Sequence, residues 1–188
     1  IPSAALGALV VFAATKLVDV AEFGRLARFR RSELVIALST AAAVVAFGVL
    51  NGVLVAIGLS VADLLRRLAH AHDSVQGLVP GVPGMHDVDD YPAATVVPGL
   101  LVYRYDAPLF FANAADFRRR ALAAIEDSPQ PVRWFLLNAE SNVEVDLTAL
   151  DALEQMRTEC EGRGIVFAMA RVKQDLRDAL AAAGLLDR

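Results

Sequence analysis

The sequence has a single cysteine, Cys160, among its 188 residues. One thiol cannot form an internal disulfide, so a disulfide framework is excluded. Cys160 lies within a helical pattern between Glu159 and Glu161, whose charges disfavour a thiolate. We therefore expect an inert helix residue. A basic leader segment is lacking as well, because Ile1 starts directly in an apolar run. This pattern is typical of a fragment of a longer protein.

The usual signatures of metal binding and catalysis are missing. His70, His72 and His86 have no cysteine or carboxylate cluster at ligand spacing, so we predict solvated histidines and no metal site. The acid/base candidates are four carboxylates without a nucleophile–histidine–acid set or a paired-carboxylate motif. They are Asp106, Glu140, Glu144 and Asp146. Surface charge explains them more simply, and the sequence favours a protein that is not an enzyme.

The net charge of −4 hides two different halves. By count, residues 1–72 carry a net charge of +3 and residues 73–188 a net charge of −7. Hydrophobic residues make up 56% of the chain, above the roughly 45–50% of soluble domains. A basic apolar half followed by an acidic mixed half favours a membrane segment joined to an aqueous domain. The acidic half would repel phosphate backbones, so no nucleic-acid partner is expected.

Two apolar runs make up most of the first half. Residues 1–18 are interrupted only by Lys16 and predict all or most of a spanning helix, although a buried helix of a soluble protein is the alternative. Residues 19–33 predict an amphipathic loop or helix at the bilayer surface. Its four arginines, which are typical of a cytoplasmic loop or of contact with anionic lipid, are Arg25, Arg28, Arg30 and Arg31.

The second apolar run, residues 34–65, is too long for one upright helix. It would measure about 48 Å, against a hydrocarbon core of about 30 Å. We therefore predict a helical hairpin that turns near Gly48 to Gly52, with arms of about 15 residues that need protein neighbours. One long tilted helix is the alternative.

The sequence of the second half predicts a linker followed by an α/β domain. Residues 69–99 are rich in proline and glycine and predict an ordered linker. From Leu100 the pattern predicts strands at 100–106, 109–114, 132–140 and 165–171. Helices are expected from Asn113, which resembles a capping box with Asp116, from Thr148 to Gly162, and over 173–184. The predicted fold is a small mixed β-sheet with its helices on one face. Gly184 to Leu186 could begin another strand, so we expect the domain to be truncated at its C-terminal end.

Several segments together resemble the C-terminal part of the SulP sulfate permease family. They are IPSAALGALV, GVLNGVLVAIGLSVADLLRR, VPGVPGMHDVDDYP, PGLLVYRYDAPLFFANA, VDLTALDALEQM and IVFAMARVK. The resemblance implies transmembrane helices over 1–68, a linker over 69–99 and a cytoplasmic STAS domain over 100–188.

The same resemblance implies a multi-pass carrier of sulfate or a similar anion in the cell membrane. The anion would bind elsewhere in the full chain, on broken helices. The expected partners are the lipid bilayer, the rest of the transporter and a second copy in a homodimer. The STAS domain would regulate transport or assembly.

STAS domains in turn resemble anti-sigma factor antagonists, in which a serine directly after an aspartate at a helix start is phosphorylated. The matching stretch is Asp146-Leu147-Thr148-Ala149, and Leu147 cannot accept phosphate. Asp146 and Thr148 are nevertheless candidates for a regulatory surface. Thr148 is either modified or caps the helix with Asp151 as its partner. Asp146 either interacts favourably with the helix dipole or belongs to that surface.

The resemblance also implies one candidate cofactor, a guanine nucleotide. A helix N-terminus can hold phosphate through backbone N–H groups, although no glycine-rich phosphate loop accompanies it here. The candidate contacts are Asn113, Ala114, Ala115, Leu147, Thr148 and Ala149. A nucleotide-binding or partner-switch module is therefore the alternative function. The long apolar runs argue against a soluble switch.

Overall fold

The computed structural model describes residues 3–17 and 20–186. The chain divides into two compact units, residues 1–64 and 65–188, which are described separately below. Expectations that fall on residues 1, 2, 18, 19, 187 and 188 lie outside the described residues.

The first unit is helical. Helix α1 covers Ser3–Leu17, α2 Val20–Phe29 and α3 Arg31–Phe47, and α4 begins in this unit and covers Val49–Ala69. The segment predicted as a loop or helix next to the bilayer is thus helical in α2. In α2 Phe23 and Leu26 are partly buried, whereas Arg25 and Arg28 are exposed. This distribution is that of an amphipathic helix.

Gly48 separates α3 from α4. Its φ of +86° is a left-handed value that favours glycine, and its N–H still donates to the Val44 carbonyl at 3.0 Å. One turn later, Gly52 is buried against Val44 and leaves no room for a side chain. The break predicted between Gly48 and Gly52 is therefore found at Gly48, and the alternative of one continuous helix is not what the structure has.

Helix α4 is longer than the predicted arm of about 15 residues. It has 21 residues, and an 18-residue window within it has a mean hydropathy of 1.7. At 1.5 Å per residue the helix measures about 31 Å, enough for a hydrocarbon core of about 30 Å. Within the described residues it is the one helix long and apolar enough to cross a membrane, and α1 contributes a shorter apolar helix, Ser3–Lys16. The helix continues past Leu65 because Leu68 and Ala69 extend its helical pattern.

The second unit contains a five-stranded mixed sheet. Its strands are β1 Asp73–Val79, β2 Val82–Asp87, β3 Leu100–Tyr105, β4 Trp134–Asn138 and β5 Val166–Ala170. The order is β2-β1-β3-β4-β5. β1 pairs antiparallel with β2 and β3, whereas β3, β4 and β5 are parallel. The helices are α5 Ala114–Glu126, α6 Leu147–Gly162 and α7 Gln174–Ala182.

Two elements differ from the expectation. Residues 69–99, expected to be a linker, contribute β1 and β2 to the sheet, joined by a turn at Gly81 with a φ of +79°. Residues 109–114, expected to be a strand, form only a single parallel bridge between Leu109 and Val145 before the chain turns into α5. In both cases tertiary hydrogen bonding outweighs local propensity.

The core lies between the sheet and the three helices of the second unit. Alternate residues of β3 and β4 point to one face, where they pack with residues of α5, α6 and α7. Among these buried side chains are Tyr103, Tyr105, Phe135, Leu137, Phe117, Leu153, Met156 and Leu176. The predicted mixed sheet with helices on one face is confirmed. Cys160 is also buried here, and burial raises its pKa to about 11, in agreement with an inert thiol.

Candidate regulatory surface

Two loops meet at one edge of the sheet. Because β3 and β4 are parallel, the β3–α5 loop, residues 106–113, and the β4–α6 connection, residues 139–146, both leave from the carboxyl ends of their strands. The backbone N–H of Leu109 donates to the Glu144 carbonyl at 3.2 Å. This edge brings together the sequence-predicted residues at the starts of α5 and α6.

The Asp146 carboxylate joins the two loops. Oδ1 accepts from the backbone N–H of Ala149 at 2.8 Å, so Asp146 is the N-cap of α6. Oδ2 accepts from the backbone N–H of Phe111 at 2.7 Å. The negative charge also lies at the positive end of the helix dipole. The structural role considered for Asp146 is thus present in the fold.

The position of Thr148 differs from the predicted cap. Asp146 occupies the N-cap, which places Thr148 inside the first turn of α6 with an exposed side chain. The prediction that Thr148 caps the helix is wrong because the aspartate two residues earlier already binds the free N–H. Leu147, at the position of the phosphorylated serine of the antagonists, is 74% exposed, while Ala149 is fully buried.

Asn113 has a different role from the predicted capping box. Its side chain makes no capping bond to α5. Instead Oδ1 accepts from the N–H of Phe110 at 2.9 Å, and Nδ2 donates to the carbonyls of Pro108 at 2.9 Å and Leu68 at 3.2 Å. The residue is fully buried. The box fails because the partner carboxylate, Asp116, binds other groups.

The six candidate nucleotide contacts lie at this edge, but some of their N–H groups have acceptors within the protein. The N–H of Ala114 donates to the Phe110 carbonyl at 2.9 Å, and that of Ala149 to Asp146. Ala115, Leu147 and Thr148 are exposed. The Asp146 carboxylate occupies the anion-favouring end of α6. Nucleotide binding stays a prediction, with these three exposed residues as its most accessible contacts.

A polar network that sequence reasoning missed lies beside the core. The Tyr103 hydroxyl donates to Asp73 at 2.8 Å, and Asp73 pairs with Arg120. Arg120 also pairs with Asp116 at 3.0 Å, to which the Tyr105 hydroxyl donates at 3.3 Å. Burial raises the pKa of Tyr103 well above its usual range and that of Tyr105 to about 12. Separations of up to 47 residues hide this network in the sequence.

The histidines and carboxylates considered for chemistry make ordinary pairs. His72 Nε2 lies 3.1 Å from Asp87, and within the part of the chain that the structure describes no group of three metal-binding side chains is found. Glu140 pairs with Arg171 at 2.7 Å, and Asp106 accepts from Ser141 at 2.9 Å. These hydrogen bonds and ion pairs connect the ends of neighbouring loops.

A mixed sheet with three helices on one face, and a capped helix start at the carboxyl edge of its parallel strands, defines a small α/β domain of the fold predicted above. The STAS domain family matches residues 91–188. The chain belongs to this family.

The relatives also agree with the predicted resemblance to sulfate permeases, which is confirmed. Two strains of Mycobacterium tuberculosis have a protein described as a probable sulfate transporter that is 70% identical over 187 residues, covering 100% of this chain and 33% of that protein. A probable sulfate transporter 4.2 of Arabidopsis thaliana is 29% identical over 196 residues, covering 100% of this chain and 29% of that protein. The chain thus spans about a third of the length of these curated relatives.

One solved structure supports the fold over the whole chain. Murine Solute Carrier 26 family member A9, described as an anion transporter in the inward-facing state, gives a TM-score of 0.83 at 19% identity and covers 100% of this chain and 30% of that one. At this identity the similarity concerns the fold. The relatives are described as transporters.

Proposed function

We propose that this chain is the C-terminal part of a secondary-active carrier of sulfate or a similar inorganic anion, in which a cytoplasmic STAS domain regulates transport or assembly. The observation that carries the proposal is the 70% identity to a probable sulfate transporter, which extends over 100% of the chain. It therefore includes the apolar helices as well as the domain.

The surface of the first unit supports placement in a membrane. Apolar side chains on three of its helices are exposed, among them Leu9 at 63%, Val45 at 88% and Leu50 at 75%. Exposed apolar surface of this extent needs lipid or protein around it. We assign residues 1–68 to the membrane, with lipid, the rest of the transporter and a second copy of the chain as partners.

The basic residues support a cytoplasmic domain. Arg25 and Arg28 are exposed on α2, and Arg66 and Arg67 lie in the last turn of α4. Arginine-rich ends of apolar helices remain on the cytoplasmic side. Two helices, α3 and α4, separate the two basic groups, which fits two crossings and a multi-pass protein.

The regulatory role rests on the surface at the start of α6. In the stretch Asp146 to Ala149 the serine position is a leucine, so the hydroxyl that a kinase could reach belongs to the exposed Thr148. Regulation would act through a partner bound at this surface or through Thr148. The transported anion would bind in the part of the longer protein outside this chain.

Anion uptake by the full-length protein in liposomes tests the proposal. Labelled sulfate should accumulate and should compete with related inorganic anions. A version that ends after Ala71 keeps α4 intact through Ala69 and should still insert, with an altered uptake rate. Protein in the membrane is quantified for both. Absence of uptake of every inorganic anion by the full-length protein would refute the carrier.

The alternative, a nucleotide-binding or partner-switch module, is favoured by the meeting of two helix N-termini at one edge. It predicts that GTP shifts the amide resonances of Ala115, Leu147 and Thr148. ATP serves as the control for base specificity. Unmoved resonances for these three residues at millimolar GTP would exclude nucleotide binding here.

A further inference from the structure

The C-terminal end of α4 is held by a residue far along the chain. The last carbonyls of a helix have no partner within it. In α4 the carbonyls of Arg66 and Arg67 are satisfied locally by His70, through its ring Nδ1 at 3.0 Å and its backbone N–H at 3.4 Å. The Leu68 carbonyl instead accepts from Asn113 Nδ2 at 3.2 Å, across 45 residues. Both Leu68 and Asn113 belong to the second unit.

The carboxamide of Asn113 has a single orientation. Its Oδ1 accepts from the Phe110 N–H, and its Nδ2 donates to two carbonyls, those of Pro108 and Leu68. Exchanging the oxygen and the nitrogen would set donor against donor and acceptor against acceptor. The side chain is fully buried, so each lost bond leaves a polar group without water. Asn113 is therefore a fixed connection.

The same loop is bound to the start of α6. Phe111, two residues before Asn113, donates its backbone N–H to Asp146, and Asp146 also caps α6 through Ala149. The contact with the start of α6 and the contact with α4 are thus made within three consecutive residues, 111–113. The exposed side chains of Leu147 and Thr148 lie at the α6 end of this connection.

We infer that Asn113 is a positioning residue that sets the end of α4 relative to the domain and transmits changes at the exposed start of α6 to α4. This inference rests on the proposed function, in which α4 belongs to the carrier. The covalent connection is also held, because the N–H of Asp106 donates to the His72 carbonyl at 2.8 Å. That bond joins two backbone groups, so a side-chain substitution at Asn113 leaves it in place. Such a substitution therefore tests the contact between Asn113 and Leu68 separately from the covalent connection.

Asn142 provides a matched control. It is also fully buried, and its Nδ2 donates to two carbonyls, those of Tyr105 at 3.1 Å and Ala107 at 2.7 Å, neither of which belongs to α4. Asn113→Asp and Asn142→Asp each replace two buried N–H donors by an oxygen. Both variants lose two buried donors, and only Asn113→Asp loses a contact with α4.

The structural test uses spin labels on the full-length protein in liposomes. Labels at Leu65→Cys, on the exposed surface of α4 close to its end, and at Gln130→Cys, on the exposed far end of the domain, report the position of the helix end; buried Cys160 is replaced by serine. Asn113→Asp should broaden or shift the distance distribution, while Asn142→Asp should leave it unchanged. Equal changes in both variants, or none in Asn113→Asp, would overturn the inference.

A second variant covers the case in which Asn113→Asp does not fold. Asn113→Ser keeps a polar side chain without adding a charge, but it is too short to reach the Leu68 carbonyl. It should change the distance distribution in the same way. An unchanged distribution in a folded Asn113→Ser protein would overturn the positioning role.

Transmission is tested by sulfate uptake in a double-mutant cycle. Leu147→Glu places a charge on the exposed start of α6 and should change the uptake rate, and this change should be lost in the Asn113→Ser background. The same fold-change in both backgrounds, or no change in either, would overturn transmission. A protein without uptake would refute the carrier function instead, and the spin-label distances would still decide the positioning role.

Discussion

The Asp146 carboxylate accepts a hydrogen bond of 2.7 Å from the backbone N–H of Phe111, which lies 35 residues earlier in the chain. The same carboxylate caps α6. One side chain therefore fixes the start of a helix and the conformation of the neighbouring loop. This arrangement explains why the edge of the sheet that carries the candidate regulatory residues has a defined geometry.

Replacing Asp146 should destabilise the domain more than replacing Thr148. Asp146→Ala removes the cap and a charged acceptor, and should cost about 2–3 kcal/mol. Thr148→Ala should stay within about 0.5 kcal/mol because its side chain is exposed. The free energy of unfolding can be measured in urea from the fluorescence of Trp134, the only tryptophan in this chain. A larger cost for Thr148→Ala would assign the cap to Thr148.

The sequence could predict the elements whose pattern is local. The strands around Tyr103, Phe135 and Phe167 and the helices after Asn113 and Asp146 follow from periodicity and turn residues. β1 escaped prediction because in its sequence, DSVQGLV, the polar Ser74 and Gln76 are buried while the apolar Leu78 is exposed. Gln76 is satisfied by Asn138 across 62 residues. Such a partner is invisible to any local pattern.

The candidate site shows the same difference between local features, which the sequence predicts, and distant contacts, which it does not. The proximity of the two helix starts could be expected from two parallel strands, since their carboxyl ends share one edge. Two details depend on the three-dimensional course of the loop. Asp146 caps α6 in place of Thr148, and Asn113 donates to the distant Leu68 carbonyl. Side-chain hydrogen bonds to distant backbone groups decide these details.

Truncation of two phenylalanines near the start of α5 should cost very different amounts of stability. Phe117 is fully buried and lies edge-on to Tyr105, with ring centroids 5.6 Å apart. Phe117→Ala should cost about 3–5 kcal/mol through lost burial and a cavity. Phe111 is 67% exposed, so Phe111→Ala should stay within about 0.5 kcal/mol. Urea unfolding followed by Trp134 fluorescence measures both, and similar costs would contradict the packing described here.

The Cys160 thiol should make the domain less stable at alkaline pH. Burial raises its pKa from 9.0 to about 11, with a smaller contribution from Glu159 that Arg163 opposes. The unfolded chain therefore loses this proton at a lower pH than the folded one, and stability falls as the pH rises from about 9 towards 11. Tyr105, whose pKa is raised to about 12, extends the fall to higher pH.

Cys160→Ser should flatten the pH dependence between pH 9 and 11 while leaving the tyrosine contribution in place. Iodoacetamide should modify the wild-type thiol at pH 8 only as fast as the domain opens, because the thiolate is the reactive form and the side chain is buried. Rapid labelling of the folded protein, or an unchanged pH profile in Cys160→Ser, would argue against the buried thiol.

The last prediction concerns the close approach of Gly52 to Val44 within the first unit. A Cβ at Gly52 would collide with both the side chain and the backbone of Val44, whereas one at Gly58, two turns further along α4, would meet nothing within 4 Å. The backbone of Val44 cannot move away from the added methyl group as a flexible side chain could. Gly52→Ala should therefore force the ends of α3 and α4 apart, and Gly58→Ala should be tolerated.

Sulfate uptake by the full-length protein in liposomes, normalised to inserted protein, separates the two variants. Gly52→Ala should lower the uptake rate and the thermal stability in detergent, and Gly58→Ala should leave both near wild type. Alanine is the better helix former by about 1 kcal/mol, so propensity alone would stabilise both variants. A loss confined to Gly52→Ala must then come from the collision with Val44, and equal behaviour of the two variants would show that the turn at Gly48 tolerates a wider separation.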